Sequence, residues 1–120
     1  ATKVTLGTYF GNIVVSDDDV DENAVDNVTG AASTVHLIQI DNTANTSTRV
    51  FFKMYDVADA TVGTTAPDYV LPVPAGVKRS FVSADGFNFG TAVSYGCVTG
   101  ASKADTTGPG AAVKIVLIAV

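Results

Sequence analysis

Valine occurs 19 times and threonine 15 times in this chain, against four leucines, one glutamate and one glutamine. No motif constrains the fold as much as this bias does. β-branched side chains lose rotamer freedom in a helix and pack well on a pleated sheet. The predicted fold class is therefore all-β. A chain of 120 residues is one domain, long enough to bury a proper core.

Hydrophobic alternation and turn residues divide the chain into seven to nine predicted antiparallel strands. Lys3 to Tyr9 alternates, with Val4 and Leu6 on one side, and Ile13 to Val15 continues it after a break. Ser33 to Asp41 is the clearest early strand, apolar on both faces, as in a sandwich or at an interface. The Asn- and Thr-rich stretch from Asp41 to Thr48 reads as a turn, which predicts a hairpin with Arg49 to Tyr55. Tyr69 to Val73 carries Pro72 and is followed by Pro74, which marks an edge strand or a strand end. Val77 to Val82, Thr91 to Val98 and the almost wholly apolar Ala111 to Val120 complete the set, with Phe87 and Phe89 predicted to point inward together. Strands at this spacing predict a β-sandwich or jelly-roll-like fold. The predicted organisation is one domain over residues 1–120: an N-terminal arm and acidic loop over 1–30, and a core module over 31–120.

The net charge of −5 is local. Six of the twelve acids (Asp17, Asp18, Asp19, Asp21, Glu22 and Asp26) fall within ten residues, and the rest of the chain is nearly neutral. Nucleic acid is excluded as the main partner, because phosphate recognition needs a basic patch. No apolar run reaches the roughly 20 residues of a membrane helix, so no membrane partner is expected either.

Catalytic chemistry finds little to work with. Asp17, Asp19 and Asp21 alternate like the first ligands of an EF-hand loop, but Glu22 stands where glycine is needed and Val28 where a bidentate glutamate is needed. The expected role of Asp17, Asp18, Asp19, Asp21 and Glu22 is a solvated loop, with docking to a basic surface or a loose cation site as alternatives. His36 is the only histidine, without the partners of a hydrolase or a zinc site. Cys97 lies in an apolar strand and reads as an inert buried thiol. Tyr9, Tyr55, Tyr69 and Tyr95 would make a sugar platform only if exposed together. The expectation is no enzyme, no metal and no cofactor.

The stretch from Val35 to Val120 is similar to a group of small bacteriophage virion proteins. VHLIQIDNTANTSTRVFFKMYD (Val35 to Asp56), VGTTAPDYVLPVPAG (Val62 to Gly76) and FVSADGFNFGTAVSYGCVTGASKADTTG (Phe81 to Gly108) carry the resemblance. It covers about 70% of the chain and leaves out the N-terminal 30 residues. The resemblance implies a capsid decoration (cement) protein on the outer capsid surface, made in the host cytoplasm, or a tail- or fibre-associated module that binds a receptor or glycan. The implied partners are the major capsid protein and further copies of the chain, with a homotrimer suggested by the three-fold positions of a shell. Val4, Leu6, His36, Ile38, Ile40, Ile115, Leu117 and Ile118 are the expected interface residues. Ala1 to Gly11 is expected to add a strand to a neighbour.

Overall fold

The structure, a computed structural model, describes residues 12–120 in full and residues 4–9 by their backbone. Among the described residues eight strands follow one another: β1 (Val4–Tyr9), β2 (Asn12–Val20), β3 (Ser33–Asp41), β4 (Val50–Tyr55), β5 (Tyr69–Val73), β6 (Lys78–Phe89), β7 (Ser94–Val98) and β8 (Val113–Ala119). They form two antiparallel sheets, one ordered β1-β2-β8-β3-β6 and the other β5-β4-β7. The result is an all-β sandwich, as the composition predicts.

The sandwich closes because each sheet turns one apolar face inward. In the larger sheet the central row of that face is Val15, Leu117, Ile38 and Phe81, aligned by the β2–β8, β8–β3 and β3–β6 registers. Asp17, Ile115 and Ile40 lie in the next row. From the smaller sheet, Phe52, Met54, Leu71, Val73, Tyr95 and Cys97 join the same cluster. Burying a side chain of this size stabilises by about 1.5–3 kcal/mol.

Strand β3 keeps its core face only because it bulges. Val35 pairs with Ala119, and the next pair is Leu37 with Ile118, so His36 is an extra residue. The bulge brings Val35 onto the same inward face as Ile38 and Ile40, all three with no exposed area. Simple alternation had put Val35 and Ile38 on opposite faces. β6 answers with its own irregularity: its register jumps from Val82 to Phe87. Gly86 there has φ +82°, a Cβ would collide with the Thr34 side chain, and the Gly86 amide donates to Ser83 Oγ. Phe87 and Phe89 both reach the core, as expected.

The predicted β3–β4 hairpin does not form. β3 and β4 belong to opposite sheets. The polar stretch between them crosses the sandwich, and two buried asparagines pin it. Asn42 Nδ2 donates to the carbonyls of Thr48 and Pro74, both at 3.0 Å. Asn45 Nδ2 donates to Asn42 Oδ1 and to the Ala111 carbonyl, and Asn45 Oδ1 accepts the Ala111 N–H, each at 2.9 Å. Asparagine is used here to satisfy buried backbone, a need that a hydrophobicity pattern does not register.

The division at residue 30 does not hold either. β2 lies inside the larger sheet between β1 and β8, and β1 pairs with β2 of its own chain. Residues 21–28 then run along the outer edge of β7. The Cys97 amide donates to the Asp21 carbonyl, Val25 and Tyr95 exchange both backbone bonds, and the Val28 amide donates to the Val93 carbonyl. The expected solvated acidic loop is thus divided: Asp17, Asp18 and Asp19 belong to β2, whereas residues 21–30 form no named strand, with Glu22 and Asp26 exposed.

Candidate functional site

The two outer faces of the sandwich differ in cover. Over the smaller sheet, the loops after β4 and after β7 fold down. Val62 sits where a Cβ on Gly96 would stand, and Lys53, fully buried on β4, donates to the Ser102 carbonyl. Burial pulls the Lys53 ammonium below the usual lysine range, with Asp105 opposing. Tyr55 on the same face is buried too, and its hydroxyl has no hydrogen-bond partner among the described residues.

The larger sheet turns a different surface outward. Its outer face carries a transverse row read directly from the registers: Gly7, Val14, Ile118, Leu37 and Val82 on β1, β2, β8, β3 and β6. Val82 is 74% exposed, the most exposed of the large hydrophobic residues described. Val14, Leu37 and Ile118 are half-buried by one another. The next row reads Thr5, Ser16, Val116, Gln39 and Ser80. Neither row carries a charge. The first row is thus apolar from Val14 to Val82, half-buried over three residues and exposed at Val82.

Charge enters only at the end of the face. Asp41 pairs with Lys114 on one side and Lys78 on the other. These three line a shallow depression of about 200 Å³ with Ser16, Gln39 and Val116. The Thr43 hydroxyl and amide bind the Asp41 carboxylate and hold it below the usual carboxylate range, helped by the two lysines.

The predicted interface residues divide sharply. Ile38, Ile40, Ile115 and Leu117 are at most 2% exposed. They join the sheets of their own chain and offer nothing to another subunit, which corrects the expectation for these four. Ile118 lies on the outer face, and half-buried His36 occupies the β3 bulge with Nδ1 3.2 Å from the Ser83 carbonyl. The side chains of Val4 and Leu6 lie outside the described residues. Val14, Leu37 and Val82 share this outer face with Ile118 and are not among the expected interface residues.

The acidic residues do not converge. Asp17 faces the core, 1% exposed, accepting from the Tyr95 hydroxyl at 2.7 Å and the Asp19 amide at 3.0 Å. Burial raises its pKa. Asp18 is exposed, and Asp21 Oδ1 accepts from its own neighbour's Asn23 amide. Glu22 lines a separate hollow with Asp26, Ala60 and Val62. Among the described residues no group of three or more His, Cys, Asp and Glu is placed to hold a metal. Among the described residues Tyr55, Tyr69 and Tyr95 do not assemble a platform either, and the side chain of Tyr9 lies outside them. Tyr55 and Tyr95 are fully buried, and Tyr69 packs against Phe87 and Phe89 at 5.0 and 5.4 Å.

No protein-family model, no curated protein and no solved structure matches the chain.

Cys97 is sealed in the core. Burial, and then the Asp21 charge, push its thiol up to about 12. The expected result is no reaction with a disulfide reagent in the native state and one thiol per chain once denatured, read from released thiolate absorbance. Labelling of the folded protein would show that β7 opens.

Proposed function

We propose that this chain is a structural protein of a bacteriophage virion, a capsid decoration protein that binds the outer shell in many copies. One observation carries the reading: the outer face of the larger sheet holds two adjacent rows without a charge, with Val82 exposed on one of them. That face suits burial against major capsid protein. Each copy that bridges capsid subunits adds interface to the closed shell and lowers its free energy. Attachment at several points slows release.

Strand order supports a jelly roll within the sandwich. From β2 onward the chain visits the two sheets in turn: β2, the strap at 21–28, β3, β4 and β5, β6, β7, β8. The order β2-β8-β3-β6 thus faces strap-β7-β4-β5. With the strap counted as a strand, this order is consistent with two nested Greek keys, an architecture that viral capsid domains and lectins use. The resemblance of Val35 to Val120 to phage virion proteins favours the former. The receptor- or glycan-binding alternative needed an exposed aromatic cluster, and three of the four tyrosines are spent on packing.

Copy number per purified particle, by quantitative gel, tests the proposal. Hundreds of copies are expected, and a handful would move the protein to the tail. Val82→Asp should fold normally, since Val82 is largely exposed, and should lose shell occupancy. Full occupancy by that variant would remove the outer face from the mechanism.

A further inference from the structure

A sheet edge is a row of unpaired backbone donors and acceptors, and natural proteins guard it with proline, charge, bulges or cover. The edges of this sandwich can be taken one at a time. The β5 edge carries Pro72, which has no N–H, and Pro74 follows the strand. The β6 edge carries Lys78, Arg79 and Asp85, and is broken by the irregularity between Val82 and Phe87. The β7 edge is covered by residues 21–28, and that strap brings Asp21, Glu22 and Asp26. Much of the acidic run thus serves to close an edge.

β1 is different. Its sequence, VTLGTY, has no charge and no proline. Its pairing with β2 runs without a register shift from Val4–Asp17 to Tyr9–Asn12. Among the described residues it is hydrogen-bonded on one side only.

We propose that β1 pairs antiparallel with β1 of a second copy, about a two-fold axis at Gly7, joining two five-stranded sheets into one of ten strands. Three observations select this occupant and this register. First, an uncharged strand meets its own copy without repulsion. Second, identical antiparallel strands in one continuous sheet must pair residues of like parity, or the faces would not match. An axis at Gly7 meets this rule: Gly7 lies opposite Gly7 of the partner subunit, Leu6 opposite Thr8, and Thr5 opposite Tyr9. Third, Gly7 is the end of the row Gly7, Val14, Ile118, Leu37 and Val82. This axis makes the apolar rows of both copies continuous, whereas an axis at Leu6 would join each apolar row to the Thr5–Ser80 row of the other copy. The interface is isologous, as two-fold contacts are.

The register makes Gly7 a self-facing position, and this gives the test. Light scattering of the purified wild-type chain, away from any capsid, should return twice the chain mass. Gly7→Lys alone and Gly7→Glu alone each put like charges together at the axis, and each should return the single-chain mass. An equimolar mixture of the two should recover the doubled mass, which also shows that both variants are folded. Gly7→Cys should form one interchain disulfide on oxidation, because Cys97 is buried. A wild-type chain that is monomeric or trimeric overturns the proposal. So do a Gly7→Lys variant that stays dimeric and a mixture that stays monomeric. The capsid reading is untouched by any of these results, since copy number on particles decides that separately.

Discussion

Leu117→Ala is expected to lower the unfolding free energy by about 2–5 kcal/mol, measured from denaturant midpoints in dilute protein. Leu117 has no exposed area. It occupies the middle of the inward row, paired with Val15 on one side and Ile38 on the other. Truncation there loses transfer energy and leaves a cavity that neighbouring strands, fixed by ladders on both sides, cannot collapse to fill. Its neighbour Ile118 points the other way and is half-buried. Ile118→Ala should cost less than half as much in the isolated chain, yet should weaken whatever contact the outer face makes. The pair separates core from contact surface on a single strand. Equal losses from both substitutions would show that the two faces of β8 are not distinguished as described.

That contrast also shows what the sequence could and could not convey. β8 was legible as a strand because nine of the ten residues from Ala111 to Val120 are apolar, Lys114 alone interrupting them. Which of its faces meets the core was not, because both carry large side chains and a period of two has no sign. β3 posed the same difficulty and added the bulge at His36, which no local pattern announces. β5 was placed to the residue, because proline and alternation bound it. The β3–β4 pairing failed for a different reason. A polar Asn-rich stretch looks like a hairpin turn, whereas Asn42 and Asn45 are buried crosslinks whose partners, Pro74 and Ala111, lie far along the chain. The acidic run misled by its charge. Val15, Asp17 and Val20 face the core, and Val25 and Val28 hold the strap to β7, but the acids between them hide the pattern. The outer-face row was there to be read in Val14, Leu37 and Val82 once the inward set was known. Only the register, a long-range property, aligns them.

Tyr95→Phe is expected to cost about 1.5–3 kcal/mol at neutral pH, the range for a hydrogen bond to a charged group. Tyr95 stands on β7 of one sheet and Asp17 on β2 of the other, so their 2.7 Å bond is a polar link through the middle of the sandwich. Without the hydroxyl, a carboxylate that is 1% exposed keeps only the Asp19 amide. The pH dependence has a definite sign. Burial raises the Asp17 pKa above 3.8, against the lowering effects of the Asp19 amide and the Tyr95 hydroxyl. The folded protein therefore holds this proton more tightly than the unfolded chain does. Its stabilising contribution is complete below about pH 3.8 and is lost as pH rises through the higher folded value. Asp17→Asn has no such proton to lose, and its amide can still accept from Asp19 and donate to the Tyr95 oxygen. Relative to the parent, that variant should gain stability across this window and level off above it. On that background Tyr95→Phe should cost only about 1 kcal/mol, because no charge is left unpartnered. Either of two results would break the account: a Tyr95→Phe variant as stable as the parent at pH 7, or an Asp17→Asn difference that does not move with pH.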